Sequence, residues 1–359
     1  MEYNLNNIIS NFCIEGEVES IKPLGEGFIN DTFTVTTVGK SPNYILQRKN
    51  HKIFPDVPGM MDNIVNVTNH IKKKVKNPLR ETLTVIFTKD ELPYFKDENG
   101  NFWAVCLFIE DTITYSAATT PELAYQGGVG IGKFQTLLSD FTTPLAETIK
   151  GFHNIRWRFK QWDESLARDA ANRKKDLAKE ISWIESRREE MLNFWSLVEN
   201  GTIPTRVTHN DTKISNILFD KSSGNVLCAI DLDTVMSSTS LNDFGDAIRS
   251  YTNTGLEDDR DLSKVSMSLE MFKAYALGYL SERKESLVQS EIDHLAFSAK
   301  YITYEQVLRF LMDYIDGDTY YKVNAPDHNL VRTWAQYKLL QSIEEQYEQM
   351  CEIIRTAVK

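Results

Sequence analysis

The hydrophobic pattern of this chain changes its period once, near residue 110, and that change limits the folds open to it. Before Glu110 the chain is strand-rich: VESIKPL (18–24), DTFTVTT (31–37), NYILQR (43–48), LTVIFT (83–88) and FWAVCLFI (102–109) read as strands. DTFTVTT alternates at period two, as a half-buried strand should. Residues 5–14 and 59–75 read as the two helices of this block. After Glu110 the segments 121–139, 158–199, 262–283, 290–316 and 328–357 carry helical periodicity, interrupted by one short β patch at 206–233. The segment 163–191 is so charged that it reads as a solvated amphipathic helix. The expectation is an α+β chain with a small β-rich lobe, 1–110, and a larger, mostly helical lobe, 111–359.

Charge and composition narrow the function. The net charge is −11, so the basic footprint of a nucleic-acid binder is missing. The N-terminal stretch has no basic region followed by an apolar core of signal-peptide length. The longest apolar run, FWAVCLFI, is far short of the roughly 20 residues that span a bilayer. A cytoplasmic protein with neither nucleic-acid nor membrane partner is expected, and a monomer. Cys13, Cys106, Cys228 and Cys351 lie far apart with no CxxC pair, which argues for buried free thiols rather than zinc or disulfides.

The chemistry is concentrated in His209-Asn210-Asp211-Thr212-Lys213-Ile214-Ser215-Asn216, of the form HxDxKxxN. Phosphoryl transfer needs a carboxylate to accept the hydroxyl proton and oxygen ligands for Mg²⁺. Asp211 fits the first role and Asn216 the second. Lys213 is placed to neutralise the transferred group, and His209 to brace the loop. Ile217-Leu218-Phe219, a turn at 221–225 and Val226–Ile230 read as a hairpin that brings Asp231 back toward Asn216 as a second metal ligand. With the β-then-helical layout, this is a protein-kinase-like two-lobed plan using ATP and Mg²⁺.

The nucleotide contacts are expected from Gly25 and Gly27, whose backbone can approach phosphate closely, from Arg48, and from Glu110 at the end of the strand block. A protein kinase also carries a lysine on its third strand, paired with a glutamate on the next helix. The third strand here reads to Leu46-Gln47-Arg48, and helix 59–75 has no glutamate, so both partners are expected to be absent. Asp243-Phe244-Gly245 spells the kinase DFG, but no second hairpin returns Asp243 to Asn216. It opens the helical run DFGDAIRS, where an acid most often caps the helix, and Asp246 and Arg249 are spaced to pair locally. Further on, Arg309 and Asp313 are spaced for an i, i+4 ion pair, while Arg309 with Tyr320 could supply the planar donors and aromatic wall of a sugar site.

YILQR (44–48), IPTRVTHNDTKISNIL (203–218), AIDLDTVM (229–236), DFGDAIR (243–249), RFLMDYIDGD (309–318) and HNLVR (328–332) together resemble the aminoglycoside phosphotransferase and choline kinase superfamily. Within it the chain is similar to the N-acetylhexosamine 1-kinases over nearly its full length. The resemblance implies transfer of the ATP γ-phosphate to the anomeric hydroxyl of GlcNAc or GalNAc. It implies Asp211 as base, Asn216 and Asp231 on magnesium, and Asp211, Lys213, Arg309 and Tyr320 on the sugar. It also implies that the Gln47-Arg48 pair is a family feature, and the family's helix glutamate does not occur here. The alternatives are a kinase of choline, an amino alcohol or an aminoglycoside, whose cationic substrates need carboxylates or aromatic cages, and a pseudokinase that binds nucleotide without turnover.

Overall fold

The computed structural model describes residues 3–25 and 29–359. The chain forms two compact units, one of Met1–Ile113, Asp140–Lys150 and Leu218–Met236, the other of Thr114–Ser139, Gly151–Ile217 and Ser237–Lys359.

The first unit is built on an antiparallel sheet. Its strands are β1 (Val18–Pro23), β2 (Asp31–Thr37), β3 (Tyr44–Lys49), β4 (Val85–Ile86), β5 (Phe95–Lys96) and β6 (Phe102–Leu107). They run in the order β1-β2-β3-β6-β4, with β5 added to β6. Alternation sets the faces. Val35, Tyr44, Leu46, Trp103 and Val105 point to one side and pack with Ile8, Ile9 and Phe12 from helix α1 (Leu5–Ile9) and its exit. Each such aliphatic side chain contributes about 1.5–3 kcal/mol on full burial. Helix α1 is shorter than the expected 5–14. Phe12 bridges to Thr88 and the Cys13 N–H donates to the Phe87 carbonyl, so these residues are drawn into extended pairing. That pairing also takes the end of the 83–88 segment out of the sheet, leaving only Val85–Ile86 in the ladder. Helix α2 (Val57–Lys72) starts two residues before the expected 59, because the Asp56 side chain caps it by accepting from the Gly59 N–H at 3.0 Å.

The expected hairpin is present: Ile217–Asp220 pairs with Val226–Ala229, and the other edge of Ile217–Asp220 pairs with β7 (Thr112–Ile113). The turn is closed by Asp220 Oδ1, which accepts from the N–H groups of Ser222 and Ser223, and by Gly224 on left-handed backbone at φ 71°.

The second unit is helical: α3 (Pro121–Leu137), α4 (Ile155–Arg168), α5 (Ala178–Glu185), α6 (Arg188–Glu199), α7 (Ser240–Tyr251), α8 (Leu269–Arg283), α9 (Gln289–Ile315), α10 (His328–Glu345) and α11 (Tyr347–Ala357). Helix α7 lies at its centre and is buried on every face from Ser240 to Arg249. Helices α3 and α8 cross with their backbones almost touching. A Cβ at Gly128 would sit 2.2 Å from the Tyr275 carbonyl oxygen, and one at Gly278 2.0 Å from that of Tyr125. The 158–199 run, expected as one helical stretch, breaks into α4, α5 and α6. Asp169 terminates α4 on left-handed backbone, φ 41°, while its carboxylate accepts from the N–H groups of Arg173 and Lys174. Similarly, 328–357 breaks at Gln346.

Candidate active site

The loop His209–Asn216 is held by buried acids that are distant in sequence. Asp243, with no exposed surface, accepts from the His209 N–H at 3.0 Å, the Asn210 N–H at 2.7 Å and the Gln135 amide at 2.7 Å. Asp246 accepts from the Thr212 N–H at 2.8 Å and pairs with Arg249 at 3.0 Å, the local pair its spacing suggests. The Thr212 hydroxyl donates to the Asp243 carbonyl at 2.7 Å. His209 braces the loop from within, its Nδ1 accepting from the Asp211 N–H at 3.3 Å. Asn210 sits on left-handed backbone, φ 65°, in the middle of these anchors. The expectation that Asp243 caps a helix is corrected: Thr239 caps α7, accepting from the Leu241 N–H, and Asp243 lies inside the first turn.

These anchors aim Asp211. Its Oδ1 lies 3.0 Å from the Lys213 ammonium and its Oδ2 accepts from the Asn216 amide at 2.9 Å. Burial pushes the Asp211 carboxyl up, but the charge of Lys213 and the hydrogen bonds from Lys213 and Asn216 outweigh it, and the group is held below its usual range. Lys213 is shifted up by the same contact. Both Asn216 amide protons go to Asp211, to its carboxylate and its backbone carbonyl, so the amide has its carbonyl oxygen left to offer an ion.

A second set of side chains lies on α9 and the loop after it. The buried Arg309 guanidinium is 5.3 Å from the ring centre of Phe152, 5.7 Å from that of Tyr320 and 5.6 Å from that of Tyr321. The simple ion pair with Asp313 does not form. The Asp313 carboxylate instead accepts from the N–H groups of Thr319, Tyr320 and Tyr321 and from the Asn329 amide. One turn before Arg309, Glu305 meets Arg158 at 3.2 Å and His153 at 2.7 Å, and His153 reaches the Asn210 carbonyl at 3.1 Å.

In the first unit the exposed Asp231 occupies left-handed backbone, φ 57°, just past the hairpin. Two residues on, Asp233 is buried and bound at both oxygens, by Lys49 at 2.7 Å and by Asn30 at 2.8 Å. The third strand therefore does carry a lysine, one residue beyond where the sequence reading ended it, which corrects the expected absence. Its partner is Asp233 rather than a helix glutamate. Burial pushes the Lys49 ammonium down, but the charges of Asp233 and Asp231 outweigh this and hold it above its usual range. Arg48 faces the other way: its Nε donates to Asp31 at 2.6 Å on the neighbouring strand. The Glu110 carboxylate accepts from the Asn43 amide at 2.8 Å. Gly25 has φ 65° with open space around it, and Gly27 lies outside the described residues. Among the described residues no group of three or more His, Cys, Asp or Glu side chains could hold a metal alone. An ion here would depend on mixed oxygen donors and phosphate, as magnesium usually does.

A β-sheet unit, a helical unit and a braced HxDxKxxN loop define a kinase-like phosphotransferase. Residues 20–264 match the Phosphotransferase enzyme family, APH, and the chain belongs to it. Among solved structures it is similar in fold to a microcompartment-associated aminopropanol kinase, at TM-score 0.65 and 15% identity, covering 97% of this chain and 98% of that one. It is also similar to a spectinomycin phosphotransferase in complex with ADP and spectinomycin, at TM-score 0.62 and 13% identity over 96% and 98% of the two chains. Choline kinase from Cryptosporidium parvum matches at TM-score 0.55 and 14% identity over 99% and 98%.

Proposed function

We propose that this phosphotransferase moves the γ-phosphate of ATP to the anomeric hydroxyl of an N-acetylhexosamine, GlcNAc or GalNAc. In this reading residues 1–110 serve the nucleotide and residues 111–359 the acceptor. Asp211 takes the acceptor proton. Its depressed pKa keeps it ionised at neutral pH, while Lys213 beside it offsets charge on the transferred group. Asn216, through its amide oxygen, and Asp231, through its exposed carboxylate, would hold magnesium, which when bound neutralises phosphate charge. Gly25, Gly27 and Glu110 remain the proposed nucleotide contacts, and Lys49 takes the place of Arg48, which faces away and pairs with Asp31, because the Lys49 ammonium lies within the field of Asp231.

The acceptor class rests on one observation: the aromatic cage of Phe152, Tyr320 and Tyr321 is already filled by the protein's own cation, Arg309. A quaternary amine or aminoglycoside would have to share that cage with a guanidinium. A neutral sugar can stack on the Tyr320 ring and accept from the guanidinium edge. Aminopropanol and choline kinases in the same fold make the cationic reading the natural competitor. ATP consumption with GlcNAc, GalNAc, galactose, choline and 1-amino-2-propanol separates the two readings, and the methyl glycoside of the preferred sugar tests the position. Turnover with choline or the amino alcohol alone, or equal phosphorylation of the methyl glycoside, would overturn the proposal.

A further inference from the structure

The chemistry above makes no use of His153, yet this ring is buried between two pure acceptors. Nδ1 lies 2.7 Å from Glu305 Oε2 and Nε2 lies 3.1 Å from the Asn210 carbonyl oxygen. A neutral imidazole has one N–H and can serve only one of them, while an imidazolium donates to both. A proton placed on Glu305 would also satisfy the geometry, but Arg158 sits 3.2 Å from its other oxygen and favours the carboxylate. We propose that His153, as an imidazolium, is a positioning residue for phosphoryl transfer. It ties the backbone carbonyl next to Asp211 to the helix that carries Arg309, so that the base and the acceptor-binding side chains hold one register.

The path is short and covalently continuous at each end. Asn210 precedes Asp211 on strained left-handed backbone, and its N–H is already fixed by Asp243. Its carbonyl has His153 as anchor. Glu305 and Arg309 share α9 at i, i+4 spacing, so both point to one face. The His153 backbone is fixed as well, its carbonyl accepting from the Tyr301 hydroxyl at 2.7 Å. The charged groups facing the ring are Glu305 and Arg309 from α9, Arg158 from α4 and Asp246 from α7. Burial pushes the imidazole down and Arg309 adds to this, but Glu305 and Asp246 outweigh them, and the group is raised above 6.5. A histidine raised on folding holds its clamp below that raised pKa and loses it as pH climbs through it. Asp211, held below 3.8, does not titrate in that window.

This rests on Asp211 acting as base in the proposed reaction, and the test separates the two. The first measurement needs no acceptor: ¹⁵N-histidine NMR of the full chain at neutral pH, with the His153 signals among the six histidines identified by their loss in His153→Gln. Both ring nitrogens of His153 are expected to be protonated. A neutral His153 at pH 7 overturns the proposal even if the protein is an active kinase. The second is kcat and KM from about pH 6 to about pH 10. Wild-type kcat should fall on an alkaline limb. His153→Gln should lower neutral-pH kcat by about tenfold or more with the ATP KM changed less than about twofold, and flatten that limb. Glu305→Gln, which keeps the ring, should move the limb to lower pH and serves if His153→Gln does not fold. A His153→Gln enzyme with kcat within about twofold of wild type and the same limb would also overturn it.

Discussion

Replacing Asp243 by alanine should destabilise the protein heavily and leave its use of magnesium intact. The carboxylate is fully buried and takes three hydrogen bonds, two of them from the consecutive backbone N–H groups of His209 and Asn210. Alanine leaves both N–H groups buried without an acceptor, at about 1–3 kcal/mol each. The Gln135 amide is partly compensated, since the Ser240 carbonyl lies 3.5 Å away and the Tyr279 hydroxyl donates to its oxygen. The sum is about 2–6 kcal/mol, a large share of the roughly 5–15 kcal/mol that holds a folded protein together. Asparagine should cost less, about 1–3 kcal/mol. It keeps one acceptor oxygen, and it lacks the burial cost of an ionised carboxylate that shifts the Asp243 carboxyl upward.

The assay is urea denaturation followed by circular dichroism, paired with a magnesium titration of residual turnover. Both variants should unfold at lower urea, alanine before asparagine. Turnover should fall by up to about 10²-fold as the loop loosens, while the half-saturating magnesium concentration stays within about twofold. An unchanged unfolding midpoint for Asp243→Ala would refute the bracing argument. If Asp243→Asn instead raises the magnesium requirement about tenfold, and Asp231→Asn does not, then Asp243 is the metal ligand.

Asp211→Asn should retain the fold and lose about 10²–10⁴-fold in kcat, checked by circular dichroism and initial rates. Lys49→Met strands the buried Asp233 with only Asn30, and should cost about 3–5 kcal/mol in denaturant unfolding, with Lys49→Met/Asp233→Asn recovering part of it. Glu305 is buried, which raises its pKa, but His153, Arg158 and Arg309 bring it down to about 2. A depressed carboxyl contributes stability above its unfolded pKa of 4.5 and loses it as pH falls toward 2, so Glu305→Gln should show a flatter acid-unfolding curve over that window. Arg309→Ala should raise the acceptor KM about 10- to 100-fold, the worth of a charge-assisted hydrogen bond, with the ATP KM unchanged.

Features that depend on near neighbours in sequence were legible. The hairpin after Asn216 is announced by two apolar runs around a Ser-Gly-Asn turn, and DTFTVTT by its alternation. The bracing of HxDxKxxN was not. Lys49 meets Asp233 across 184 residues and His153 meets Glu305 across 152, and neither pair has a spacing that could mark it. Lys49 is missed for a simpler reason: the apolar alternation of this segment stops at Leu46 and nothing in it marks a strand end past Arg48, whereas the β3–β6 ladder continues through Lys49 opposite Phe102. Burial of an ion pair, not hydrophobicity, carries that last position. The sequence suggests a cap at Asp243 because an acid near a helix start is usually one. On a helix buried on every face, however, the first turn also faces protein, and an acid there can accept from another segment's backbone.

Arg309 shows how one local choice decides a site. Its i, i+4 spacing from Asp313 would ordinarily give an ion pair worth about 0.3–0.5 kcal/mol if exposed. The chain after α9 turns back through Gly317 and Asp318, at φ 92° and 61°, and presents three successive N–H groups to the same carboxylate at 2.8–3.0 Å. Backbone donors held by a turn need little further ordering, whereas a long arginine must surrender side-chain freedom to pair. The carboxylate goes to the loop. That loop, pinned at residues 319–321, carries Tyr320 and Tyr321 to the guanidinium from which it has taken the acid. Rings then cover Arg309 where a carboxylate would have capped its N–H edge, and planar donors are left beside the half-exposed Tyr320.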